Sequence, residues 1–178
     1  MLVKELKSTQ QLSDFLDAVA FGQTGYEQSL NKLDRKKKGV FLTNSLSTVE
    51  NVLSIVEINS EILSKRILEP SCGQGIFVLK LITDVYRLFP DPFLITKFIS
   101  DNIYFVDVQE EMTTQTASNI KKLFEFLFDE EYLGSFNSIT WDFTDKLSLN
   151  SSLFDEPKET PFKELYNTFD YVIGNPPY

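Results

Sequence analysis

The chain is predicted to be an α/β protein built on a doubly wound parallel sheet of Rossmann-like type, and three features of the sequence predict it. Short aromatic and β-branched runs alternate with longer runs of helical period, the pattern of strands joined by crossover helices. Arg66-Ile67-Leu68-Glu69 reads as a strand that breaks at Pro70-Ser71-Cys72-Gly73-Gln74-Gly75 and opens into the apolar run Ile76-Phe77-Val78-Leu79. This is a strand, a tight turn and a helix start. Finally, an acidic or polar residue falls at the carboxyl end of each of four predicted strands: Glu69, Asp107, Asp142 and Asn175. In such sheets ligands bind outside those ends.

Each element has a local reason. Residues 8–34 are predicted helical, since Leu12, Phe15, Leu16 and Val19 follow the i, i+3, i+4, i+7 pattern, with Gly22 and Gly25 interrupting before a second turn. This N-terminal helical segment, residues 1–38, is set apart from a domain covering residues 39–178. Lys36-Lys37-Lys38 lies at the junction and reads more simply as a solvated turn than as a phosphate contact. Ser47-Thr48-Val49-Glu50 has capping-box spacing and Val49, Val52, Leu53 and Val56 share a face, so a helix is expected over residues 45–59. The helix opened by Gly75 runs to Phe89, where Pro90-Asp91-Pro92 stops it, and a short helix over residues 93–99 follows. Residues 102–108 form strand two and residues 112–128 a helix with Ile120, Leu123, Phe124 and Leu127 in line, closed by Gly134. Residues 136–141 form strand three, residues 144–160 a polar loop, and residues 169–174 strand four.

Composition narrows the chemistry. The 178 residues include 16 Phe and 42% apolar residues, enough for one core. The net charge of −9 by itself argues against a nucleic-acid surface, but it is uneven: residues 1–43 carry net +2 and the remainder net −11. One cysteine forbids an internal disulfide, and with no signal peptide or membrane-spanning run in view a cytoplasmic location is expected. With no histidine, Ser-His-Asp triads and His-bearing zinc sites are excluded, so no metal site is expected. Carboxylates, amides, aromatics and backbone remain.

Gly73 and Gly75 let a ligand approach backbone amides at a helix start, although a glycine pair alone fits a tight turn equally well. Glu69 disfavours a phosphate there and suits hydroxyls or a positive charge. Asp107 stands where a carboxylate accepts from two ribose hydroxyls, and Asp142 where one accepts from a purine amine, with Val108 or Phe143 against the ring. For each of these, a surface acid that merely ends a strand is as good a reading. Asn175-Pro176-Pro177-Tyr178 is sharper. Its prolines remove N–H donors and hold the backbone extended, so the Asn175 side-chain oxygen and the Pro176 carbonyl form a rigid acceptor pair for an amino group. Tyr178 offers a ring on which a base can stack.

Taken together these residues resemble the S-adenosylmethionine-dependent N6-adenine DNA methyltransferases of restriction-modification systems, in the arrangement where cofactor motifs precede Asn-Pro-Pro-Tyr. Gly39-Val40-Phe41-Leu42-Thr43-Asn44 is similar to that family's N-terminal cofactor motif, from which Leu42 and Asn44 depart. Glu69 through Phe77 is similar to its Asp-Pro-Ala-Cys-Gly-Ser-Gly-x-Phe motif, and the resemblance spans residues 39–178. It implies the methyltransferase version of the Rossmann-like sheet, with S-adenosylmethionine as cofactor. By the same resemblance, Thr43, Glu69, Ser71 and Gly73 line the methionine side of the cofactor, Asp107 takes the ribose, and Asp142 with Phe143 the adenine. Phe41, Pro70, Gly75 and Val108 are the further cofactor-binding residues it implies. Asn175, Pro176, Pro177 and Tyr178 form the catalytic motif around a flipped adenine, and Cys72 is a small residue of the turn. Double-stranded DNA is the implied partner, with a restriction nuclease fused or separate.

In that family more strands and a DNA-recognition region follow the catalytic motif. The chain is therefore expected to be an N-terminal piece of a longer enzyme, truncated after its fourth strand and inactive alone. Two rival readings remain: a methyltransferase acting on a protein glutamine or an RNA base, which also uses Asn-Pro-Pro-Tyr, and a catalytically silent DNA-specificity module. A nicotinamide-linked dehydrogenase fits less well, because the third glycine of that fingerprint is missing.

Overall fold

A computed structural model of the chain describes residues 6–29, 43, 45–142, 163–165 and 167–176. Among them four strands, β1 (Ile67–Glu69), β2 (Ile103–Asp107), β3 (Asn137–Thr140) and β4 (Tyr171–Val172), form one sheet in the order β3-β2-β1-β4. Every pairing is parallel, with Ile67 opposite both Ile103 and Tyr171 and Tyr104 opposite Asn137. The chain moves outward from β1 through β2 to β3 and then returns to the other side of β1. That reversal is the doubly wound signature, and it places the switch point between β1 and β4.

Among the described residues five α-helices accompany the strands: α1 (Thr9–Ser29), α2 (Leu46–Leu53), α3 (Ile76–Leu88), α4 (Pro92–Asn102) and α5 (Glu110–Phe128). All five contribute to one core cluster. Leu12 and Leu16 of α1, Val49 of α2, Leu79 and Ile82 of α3, Phe98 of α4 and Leu123 of α5 pack there with Ile67, Ile103 and Phe105 of the sheet. The alternation of strand side chains sends Leu68 and Val106 to the opposite face, where Tyr104, Ile139, Trp141, Leu165 and Phe169 surround them.

Several boundaries differ from the sequence-based expectation, each for a local reason. α1 runs unbroken through Gly22 and Gly25, because its buried stripe of Leu12, Leu16 and Ala20 outweighs two glycines; the expected turn through Leu30 and Leu33 lies outside the described residues. α2 starts at Leu46 after Ser45, so Ser47 sits inside the helix, its hydroxyl 2.8 Å from that of Ser45, and no capping box forms. The helix also ends at Leu53, short of Asn59. The Asn59 side chain instead accepts from the Glu61 N–H and opens a 3-10 turn, Ser60–Ser64. Pro92 not only ends α3's continuation but begins α4, with the Asp91 carboxylate capping the Leu94 N–H at 2.8 Å. α5 stops at Asp129, in the left-handed conformation with φ 52°, ahead of Gly134.

Two asparagines, Asn102 buried and Asn137 half-buried, set the strands in place. The Asn102 amide donates to the Leu63 and Lys65 carbonyls before β1, and the Asn137 amide to the carbonyls of Ser100 and of Ile103 at the start of β2. β4 is tied to β1 at its start: the Asp170 carboxylate accepts from the Arg66 N–H at 2.9 Å and lies 3.3 Å from the Lys65 ammonium. The Arg66 N–H, helped by that lysine, holds the Asp170 carboxyl below the usual carboxylate range. No helix of the described residues is long and apolar enough to cross a membrane.

Candidate functional site

The turn after β1 is the centre of the site. Gly73 and Gly75 both have positive φ, 54° and 85°. At Gly75 a Cβ would lie 2.7 Å from the Thr116 side chain, so glycine is needed there for both conformation and space. The turn is clamped from two sides. On the sheet side, the Cys72 N–H donates to the Val106 carbonyl at 2.8 Å and the Gly73 N–H to Asp107 Oδ2 at 3.0 Å. From α5, the Thr116 hydroxyl donates to the Gly73 carbonyl at 3.0 Å and the Asn119 amide to the Gln74 carbonyl at 2.9 Å.

The other wall comes from β4. Its chain passes through Ile173, whose N–H donates to the Leu68 carbonyl, to Gly174 at φ 145°. Gly174 rests on the turn, with the position of its missing Cβ 3.7 Å from Pro70 and 3.8 Å from Glu69. Asn175 is thereby delivered to the rim of a recess. Gln23, Thr43, Glu69, Ser71, Cys72, Gly73, Gln74, Ile76, Phe77 and Asn175 line it, and it is partly open to solvent. The recess lies at the carboxyl ends of β1 and β4, the switch point of the sheet.

Of the residues expected in a site, Thr43, Glu69, Ser71, Gly73 and Asn175 meet in this recess, and the Asn175 amide approaches the Thr43 hydroxyl at 3.4 Å. Pro70 and Gly75 shape the turn without lining it. Pro176 is exposed beside Asn175. Asp107 ends β2 but spends its carboxylate on the protein: Oδ2 accepts from Gly73 and Oδ1 from the Gln109 N–H, both at 3.0 Å. Asp107 therefore braces the glycine turn, and any ribose contact would use its remaining lone pairs. Trp141 donates its N–H to the Asp107 carbonyl, and Asp142 follows, half-buried at the same edge but outside the recess. Val108 is exposed just past β2. Phe41, Phe143, Pro177 and Tyr178 lie outside the described residues.

The electrostatics of the recess are dominated by buried carboxyls. Glu69 is 1% exposed and neither carboxylate oxygen has a hydrogen-bond partner among the described residues. Burial pushes its carboxyl well above the usual range, against the pull of the Val78 backbone N–H and with the nearby Asp107 charge adding. Asp107 is raised as well, by burial, against the pull of the backbone N–H groups it accepts from. Burial and then the Glu69 charge push the Cys72 thiol up, so it is a poor nucleophile, and it accepts from Thr116 at 3.5 Å. Ser71 Oγ is buried and also without a partner among the described residues. No cluster of three or more His, Cys, Asp or Glu suited to a metal ion occurs among those residues.

Three parts of the site were not expected from sequence. Thr116 and Asn119 betray themselves only as polar residues on the buried face of an amphipathic helix, and Gln23 carries no motif. Gly174 is visible only as the residue before Asn175. No curated protein matches the chain. A model of the Eco57I restriction-modification methylase family matches residues 101–178, a span that holds β2, α5, β3, β4 and Asn175-Pro176-Pro177-Tyr178. The similarity is to a restriction-modification methylase family over less than half of the chain, and of the residues lining the recess it takes in Asn175.

Proposed function

We propose that the recess binds the amino-acid end of S-adenosylmethionine, and that the protein carrying this chain methylates the N6 amino group of adenine in DNA within a restriction-modification system. The observation that carries this reading is the convergence of Glu69, Ser71, Thr43 and Asn175 at the switch point of a parallel sheet. Buried acceptors without partners favour a cationic donor group, and an ammonium suits them; a phosphate does not. When bound, the cofactor supplies an electrophilic sulfonium methyl group. The chain's own residues do the rest by position.

Glu69 is buried and meets the small molecule, whereas Asn175 and Pro176 are exposed at the rim, where a base turned out of a duplex can reach them. With its nitrogen turned toward Thr43, the Asn175 side chain leaves its oxygen for the incoming amino group. The Pro176 carbonyl is the second acceptor. Accepting both amino hydrogens frees the nitrogen lone pair from the ring and directs it toward the methyl carbon. The resemblance adds Tyr178 as the stacking ring, Asp142 and Phe143 as contacts to the cofactor's adenine, and a nuclease as partner.

The test is nucleoside mass spectrometry of duplex DNA incubated with the protein that carries this chain and labelled S-adenosylmethionine. N6-methyldeoxyadenosine is the expected product. Asn175→Ala should lower transfer at least a hundredfold while cofactor affinity stays within about twofold. Label found on cytosine, RNA or protein glutamine would sink the adenine assignment.

A further inference from the structure

Buried polar groups in this protein are for the most part satisfied: Asn102, Thr116 and Asn119 all have partners. The exceptions are concentrated. Among the described residues four buried side-chain oxygens lack a hydrogen bond, namely both of Glu69, that of Ser71 and Oε1 of Gln23. All three residues line the recess. Gln23 comes from the C-terminal half of α1, well outside the cofactor and catalytic motifs, and is 1% exposed. A buried amide oxygen without a partner is a liability in the free protein, and its coincidence with Glu69 and Ser71 on one surface marks it as an acceptor held for a ligand.

We propose that Gln23 is a ligand-binding residue, its side-chain oxygen accepting from the ammonium of the cofactor's α-amino-acid end beside the Glu69 carboxylate; this rests on the methyl-donor reading of the recess. The residue type fits. Glu69 and Asp107 already place two carboxylates in this region, and an amide adds an acceptor without a third charge to repel them. α1 is then part of the binding site and not merely a cover for the core.

Isothermal titration of the wild-type protein and Gln23→Leu, each with S-adenosylmethionine and with 5′-methylthioadenosine, tests this, because the second ligand lacks the amino-acid end. Gln23→Leu should weaken S-adenosylmethionine about tenfold to a hundredfold and leave 5′-methylthioadenosine within about twofold. Thermal unfolding without ligand should show an unchanged or higher Tm, since the variant removes an unpaired polar atom; a structural role for Gln23 predicts a lower one. Gln23→Met, unbranched and close in volume, serves if the leucine variant does not fold. Unchanged S-adenosylmethionine affinity, or equal loss for both ligands, overturns the assignment of Gln23 while the recess stands. Wild-type protein that binds neither ligand overturns the cofactor reading and this inference with it.

Discussion

Glu69 shows how one side chain can be costly to the free protein and useful to the complex. Its carboxyl is buried at the end of β1 with neither oxygen paired among the described residues, and burial raises its proton affinity well above that of an ordinary glutamate. The folded protein therefore holds this proton more tightly than the unfolded chain does. The resulting stability is fully present below the ordinary carboxylate range and is lost as pH rises through the raised value. Glu69→Gln should raise the stability of the ligand-free protein at neutral pH and flatten this dependence, leaving the smaller slope of the same sign from Asp107. The same substitution should weaken S-adenosylmethionine at least tenfold, because it removes the negative charge that strengthens the hydrogen bond to the ammonium. Denaturant melts across pH and calorimetry check the two halves; a variant less stable than the parent at neutral pH would refute the first.

At the scale of elements, the glycine turn is held by its neighbours as much as by its own residues. Two glycines at positive φ make the turn possible, but β2 supplies Asp107 and α5 supplies Thr116 and Asn119 to hold it. Gly75→Ala should cost about 1–3 kcal/mol, from the left-handed backbone together with the Thr116 contact, and should loosen cofactor binding with it. Chemical denaturation measures the first effect and titration the second. A variant of parental stability would mean that the turn relaxes without cost. The element boundaries follow the same logic. Ser47 through Glu50 has capping-box spacing, yet α2 begins at Leu46, where burial of Val49 and Leu53 decides the register. At Asp91-Pro92 the sequence predicts the stop of α3, and the structure also starts α4 there, with Asp91 as its cap, and carries it to Asn102, past the expected end at residue 99.

On the scale of the whole molecule, α1 and the sheet share one core. Leu12, Leu16 and Ala20 pack in the same cluster as Ile67, Ile103 and Phe105, so unfolding of α1 should not be separable from unfolding of the sheet. Leu16→Ala should cost about 2–5 kcal/mol in a single cooperative transition followed alike by far-UV circular dichroism and tryptophan fluorescence. A variant in which the Trp141 signal keeps its parental midpoint would show that residues 1–38 are a separate unit. β4 lies at one edge of the described sheet, with Val172 60% exposed.

Sequence alone determined what short-range physics controls. The alternation of strand and helix signals, the strand-turn-helix at Glu69 through Gly75 and the rigid Asn175-Pro176 segment are local patterns, legible because backbone geometry and hydrophobic period are written within a few residues. From them followed the parallel sheet and three of the ten lining residues, Glu69, Gly73 and Asn175, while Thr43 and Ser71 came from the resemblance. Tertiary structure alone decided the strand order, which puts β4 against β1 and makes their ends one recess. It turned Asp107 toward the Gly73 and Gln109 amides and left the oxygens of Gln23, Glu69 and Ser71 on one surface without partners among the described residues. Gln23 and Asn175 are 152 residues apart in sequence. No local pattern couples such positions, because their meeting depends on how the helices and strands between them bury apolar surface together.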